Sequence, residues 1–191
     1  RVPDLDALRE KTRVFQGALK RLGAGIVELD HDFGDEDELK DFDARTRASI
    51  RKGRLELRGS RIFPVIVRNL AFEDRASITI EPQSATRQAL IACGFMAARR
   101  HDKPSGVLVG FQPSSLGLVL LRWEGGGTKP MTKPQQLSRT PKRLQLELEN
   151  RTLRVIADGR RVLTHAWPDD EVRVRVVLAG ISQGDDAVVF G

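Results

Sequence analysis

From Ile50 to the C-terminal end, the apolar residues of this chain recur with a period of two, and that period limits its fold more than any other feature. In LQLELENRTLRVIADGRRVL, Leu144 to Leu163, the residues Leu144, Leu146 and Leu148 alternate with Gln145, Glu147 and Glu149. Successive side chains of a strand point to opposite faces, so such a segment buries one face and wets the other. GRLELRG alternates in the same way through Leu55 and Leu57, and ASITIEP through Ile78 and Ile80. Further short strands are predicted in RIFPVIVRN, QALIACGFMAAR, SGVLVGFQP, LGLVLLRWEG, TLRVIADG, RRVLTHAW, VRVRVVLAG and DAVVFG, separated by clusters of Gly, Pro, Asn and Asp. The strands of residues 88 to 121 are apolar on both faces, as central strands are, whereas residues 144 to 178 alternate strictly, as one-sided strands do. Asp158-Gly159 is the strongest hairpin signal, with Gly159 expected at positive φ. About eleven strands and little helix argue for a mainly β fold of two packed antiparallel sheets.

Before this region the period is helical. In DLDALREKTRVFQGALKRLGAG, the residues Leu5, Leu8, Phe15, Leu19 and Leu22 share one stripe, with Thr12 in its one polar slot. Asp4 supplies an acid near the start and Gly23 a stop, which predicts an N-terminal amphipathic α-helix over residues 4 to 22. The expected organisation is a helix and linker over residues 1–27 and a β-sandwich over residues 28–191. The apolar stripe has to be covered by the domain that follows, by an upstream helix or by a second copy.

With 40% hydrophobic and 30% charged residues in 191, the chain is not disordered by composition, and no apolar run approaches the ~20 residues that span a bilayer. The lone Cys93 rules out an intramolecular disulfide. Set in ALIACGFMAA without an adjacent His or basic residue, it reads as a buried small hydrophobe. The net charge of +6 is unevenly placed. ELDHDFGDEDELKDFD, residues 28 to 43, carries −8, which leaves +14 for the rest and implies two patches of opposite sign. A basic nucleic-acid-binding module is therefore one reading. Against it, the chain has no Tyr and only two Trp, far apart in sequence, so the basic residues lack the interleaved aromatics on which bases stack. The chain opens on Arg1 and closes on a strand-like VVFG, as expected of a part of a longer protein, so the lack of a targeting segment is uninformative.

The succession ELDHDFGDEDELKDF, GRLEL, FEDRASITIEP, QALIACGFMAAR, SGVLVGFQP, LGLVLLRWEG and RLQLELENRTLRVIADGRRVLTH resembles the concanavalin A-like lectin/glucanase superfamily. This is the jelly-roll sandwich of laminin G-like modules, legume-type lectins and 3-keto-disaccharide hydrolase-like domains. The resemblance covers roughly residues 28 to 191 and is most specific at Leu153, Val155, Asp158 and Gly159. It implies a jelly roll, favours an extracytoplasmic setting, and leaves open lectin-like binding or sugar hydrolysis.

Glucanases of the superfamily carry acids at alternate positions of one strand, facing one concave surface. Here Gln145, Glu147 and Glu149 hold such positions, but Gln145 cannot act as a nucleophile and Arg143 and Arg151 supply ordinary ion-pair partners. The expectation is a solvated face and no catalytic residue. Asp30, Asp32, Asp35, Glu36 and Asp37 resemble a calcium loop whose spacing fails at Gly34, leaving a solvated acidic loop. His31, His101 and His165 share no ligand spacing and read as surface residues. Gly125-Gly126-Gly127 has no following helix to hold a phosphate and reads as a loop. No metal or cofactor is expected. The reading is a non-catalytic binding or architectural module for a glycan or a protein surface, with Arg99, His101, Trp123 and Glu147 as candidate ligand-binding residues. A glycoside hydrolase-like enzyme is the alternative.

Overall fold

The computed structural model describes residues 16–23, 26–43, 48–58, 65–67, 71–73, 75–84, 89–98, 105–125, 127–171, 173–182 and 188–190. In chain order the strands are β1 (Ala18–Gly23), β2 (Ile26–Asp30), β3 (Phe42–Asp43), β4 (Ala48–Ile50), β5 (Leu55–Leu57) and β6 (Val65–Val67). Next come β7 (Arg75–Ile80), β8 (Pro82–Ser84), β9 (Leu90–Ala97), β10 (Ser105–Gln112), β11 (Gly117–Glu124) and β12 (Gly127–Pro130). The last are β13 (Gln135–Gln136), β14 (Leu144–Glu149), β15 (Thr152–Ala157), β16 (Arg160–Ala166), β17 (Val174–Ile181) and β18 (Val188–Phe190). Every segment predicted as a strand contains one.

The pairings among the described residues are antiparallel. The larger sheet runs β12-β11-β10-β9-β17-β6-β3, with β13 also on β11. Two four-stranded sheets run β16-β15-β14-β7 and β4-β5-β18-β8, and β1 pairs with β2 in a separate hairpin. The three sheets share one apolar core: Ile91, Phe95, Val109 and Leu120 of the larger sheet join Ile78, Leu146 and Val155 of one smaller sheet and Leu55 and Phe190 of the other. Each such Leu, Ile, Val or Phe contributes roughly 1.5–3 kcal/mol on burial. Cys93 lies in that core at 0% exposure, and burial pushes its thiol pKa up.

The larger sheet is apolar on its other face too. Ala92, Met96, Leu108, Leu121, Trp123, Val177 and Ala179 form a second cluster there, each at most 8% exposed. This is why the strands of residues 88 to 121 read as apolar on both faces. β7, β14 and β15 instead alternate strictly between buried and more exposed residues.

The helix expected over residues 4–22 is not supported. Ala18–Gly23 is the strand β1, paired with β2 through a bulge between Leu19 and Arg21, and residues 4–15 lie outside the described residues. Three heptads are close to the minimum for a coiled coil, and an isolated helix of this length is marginal, so pairing with β2 outcompetes the stripe over its second half. Of the Gly125-Gly126-Gly127 run read as a loop, Gly125 is a turn at φ 55°, Gly126 lies outside the described residues, and Gly127 opens β12, paired with β11.

The five acids read as a solvated loop, Asp30, Asp32, Asp35, Glu36 and Asp37, are exposed, but the acidic segment goes further than that loop. It forms a 3₁₀ helix, Glu36–Asp41, whose Asp35 cap accepts a hydrogen bond from Asp37 N, and both Glu38 and Asp41 are buried. Asp41 accepts hydrogen bonds from the backbone N–H of Gln16 and Gly17 and lies 2.8 Å from His31 Nε2, tying the β1–β2 hairpin to the helix. His31 is thus not a free surface residue: its side chain is 12% exposed and its ring lies beside Phe33 and Phe42.

Burial holds the Glu38 pKa above its ordinary 4.5, and its Oε2 atom is buried without a hydrogen-bond partner among the described residues. A raised carboxyl pKa means that the folded state binds more protons, so stability falls as pH rises from the unfolded value through the folded one. Glu38→Gln should therefore melt above the wild type at pH 7, by about 1–3 °C, with the gain closing below about pH 4. Melting curves at both pH values test this, and a variant less stable at pH 7 would contradict it.

Asp158-Gly159 makes the predicted turn between β15 and β16, at φ 49° and 78°. Both values fit a type I′ hairpin, which only Gly, Asn and Asp occupy readily. Gly159→Val places a β-branched side chain at positive φ and should cost about 1–3 kcal/mol, read by chemical denaturation. A second turn of this kind, Asn150-Arg151 at φ 48° and 59°, joins β14 to β15. Arg151 is an unusual occupant; its guanidinium donates to the carbonyl of Asp169 at 2.8 Å.

Candidate functional site

The one-sided strands β7, β14, β15 and β16 turn a polar face outward, and their register sets it out in rows. One row is Ser77, Glu147, Arg154 and Thr164; the next is Thr79, Gln145, Ile156 and Arg161. On the other side of the first row lie Arg75, Glu149 and Thr152. A bulge between Val155 and Ile156 lets Val162 pack on the core while Arg161 stays in the outward row. Rows repeat every two residues, about 6.5–7 Å apart along the strands.

The groups on this face are already joined. Gln145 Nε2 donates to Ser77 Oγ and to Glu147 Oε1, each at 3.0 Å. Arg154 Nη1 donates to Glu149 Oε2 at 2.7 Å, and Arg75 Nη1 lies 3.7 Å from its other oxygen. The Arg154 hydrogen bond, then the Arg75 charge, lower the Glu149 pKa below the ordinary carboxylate value. A retaining glycosidase needs one carboxyl held protonated. Glu149 is pushed the opposite way.

Beyond the Thr79 row the face ends in an open groove of ≈ 790 Å³ lined by Glu81, Arg139, Lys142, Arg143, Asp158 and Gly159, among others. Asp158 pins the loop opposite: its Oδ1 accepts from the N–H of Lys142 at 2.8 Å and of Arg143 at 3.0 Å, and its Oδ2 accepts from Arg139 Nη2 at 3.2 Å. These bonds, the Arg143 amide first, lower its pKa. Arg143 Nε lies 3.5 Å from Glu81 Oε1. Sequence reasoning missed this groove, although Arg139, Lys142 and Arg143 stand within five positions of one another and the Asp-Gly turn is legible in the residues.

Of the residues singled out from the sequence, Glu147 lies at the centre of the polar face. Trp123 does not join it. Its indole packs on the other side of the molecule in the second apolar cluster, 5% exposed, with Nε1 buried and without a partner among the described residues, so no ring face is open to a sugar there. Arg99 and His101 lie outside the described residues. His165 is half-buried, its Nδ1 2.8 Å from the carbonyl oxygen of Ala166. Among the described residues no three His, Cys, Asp or Glu groups are placed to hold a metal ion, and no helix is long and apolar enough to cross a membrane.

No protein-family model and no curated protein sequence matches the chain. Solved structures do. The carbohydrate-binding module CBM66 from Bacillus subtilis is similar with a TM-score of 0.53 at 15% identity, over 71% of this chain and 82% of that one. Bacillus licheniformis beta-glucanase is similar with a TM-score of 0.52 at 6% identity, over 76% and 79%. At such identities the likeness is one of fold. The chain has the concanavalin A-like jelly-roll fold, which in these two proteins serves a carbohydrate-binding module and a glucanase.

Proposed function

We propose that this chain is a non-catalytic glycan-binding module whose ligand lies on the outward face of β7, β14, β15 and β16. The observation that carries this reading is the pairing on that face. Its carboxylates are engaged by amide and guanidinium partners, and Arg154 and Arg75 lower the Glu149 pKa, which suits hydrogen bonding to hydroxyl groups and runs against the raised pKa of a glycosidase acid. Ser77, Thr79, Gln145, Glu147 and Arg154 offer donors and acceptors on a fixed sheet, so little side-chain entropy is lost on binding. A carbohydrate-binding module of the same fold supports the reading, although fold alone does not assign a function.

The test pairs binding with turnover. Wild type, Glu147→Gln and the Glu147→Gln/Glu149→Gln double variant are screened against immobilised polysaccharides and against activated glycosides. Binding without hydrolysis is expected, weakened several-fold by Glu147→Gln. Hydrolysis by the wild type that disappears in the double variant would replace this reading with the enzyme.

A further inference from the structure

We infer that the glycan is an acidic one, its carboxylate or sulfate ester groups seated at the Asp158 end of the sheet against Lys142 and Arg161. The inference rests on the glycan-binding reading and names the substrate class of that same site.

Three observations meet at this end. First, the groove opens where the polar rows stop, and its acids are already taken: Glu81 by Arg143 and Asp158 by Arg139. Lys142 lines the groove and is exposed, Arg161 is exposed in the adjoining row, and neither has an acidic partner among the described residues. The uncompensated charge is therefore positive. Second, the backbone that carries Lys142 is held by the Asp158 carboxylate, so the ammonium group extends from a fixed base.

Third, the rows of the face contain no aromatic side chain. The chain has no Tyr, and both Trp123 and Trp167 are buried. A neutral sugar would find no ring to stack on, and the bases of a single-stranded nucleic acid would find no platform. Affinity has to come from hydrogen bonds, and the strong ones here are charge-assisted bonds from Lys and Arg to an anionic oxygen. Hydroxyl-reading groups in the middle of the face and uncompensated cations at one end fit a polysaccharide bearing both hydroxyl and acidic groups.

Binding is measured by affinity electrophoresis and calorimetry with polygalacturonate, dextran sulfate, neutral dextran and mannan, and a single-stranded DNA of matched charge. Retention by one or both acidic polysaccharides, weakening as salt rises, is expected, and the two acidic probes separate carboxylate from sulfate recognition. Lys142→Gln and Arg161→Gln should each lower that affinity about three- to ten-fold without moving the melting temperature, whereas Lys142→Arg should retain it. Equal binding of neutral dextran or mannan, insensitive to salt, would overturn the acidic-ligand inference and leave the module reading standing. Binding of no polysaccharide at all would remove both. DNA bound as tightly as the acidic polysaccharides would also overturn the inference, showing a surface that reads charge alone.

Discussion

Gly94→Ala is expected to destabilise the protein by about 3 kcal/mol or more, enough to lower the melting temperature by roughly 6–12 °C or to prevent folding. Gly94 lies in β9 between β10 and β17, opposite Leu108 and Val177. A Cβ built there would sit 2.0 Å from the carbonyl oxygen of Val107 and 2.8 Å from the Cα of Leu108. Those atoms are backbone, so no side-chain rotation relieves the contact. The strands would have to part, breaking ladder hydrogen bonds at the centre of the larger sheet. Thermal melts of the purified variant, or its recovery in inclusion bodies only, test this; a melting temperature within about 2 °C of wild type would show that β9 and β10 are not packed as closely as described.

Leu146→Ala and Glu147→Gln, neighbours in β14, should differ by an order of magnitude. Leu146 is 0% exposed, in register with Ile78 and Val155 in the shared core. Its truncation removes buried area and leaves a cavity, at a cost of about 2–5 kcal/mol. Glu147 points the other way, and exchanging its carboxylate for an amide should change stability by less than about 0.5 kcal/mol. Urea unfolding of both variants makes the comparison. Equal losses would mean that Glu147 is held in a structural network and that the outward face is not a free surface.

Half of the polar face is legible in the sequence. Strict alternation puts Gln145, Glu147 and Glu149 on one side of a strand, and that is where they lie. Their partners are not legible, because Ser77, Arg75 and Arg154 reach them through strand pairings that no local pattern specifies. Proximity along the chain suggests Arg143 and Arg151 as partners of the two acids. Arg143 instead lies by Glu81, and Arg151 serves the turn to β15 and the Asp169 carbonyl. Trp123 is assignable to one side of β11 along with Val119 and Leu121, but whether that side meets solvent depends on the apolar character of β9, β10 and β17 beside it.

Short-range physics by itself determined β5–β7, β9–β11 and β14–β18, the alternation of β7, β14 and β15, and the Asp158-Gly159 turn, because a period of two and a φ > 0 requirement are properties of a few consecutive residues. The tertiary structure decided what a local pattern cannot. It turned Ala18–Gly23 from the second half of a helical stripe into a strand, since pairing with Ile26–Asp30 supplies hydrogen bonds that a marginal helix does not match. It buried Glu38 and Asp41 in a segment charged enough to read as solvated, with the amides of Gln16 and Gly17 compensating Asp41. It also brought Arg139–Arg143 against Asp158, making a groove from residues 16 positions apart at Lys142 and Asp158. Each of these outcomes depends on partners distant along the chain, and only folding brings them within the few ångströms over which hydrogen bonds and ion pairs act.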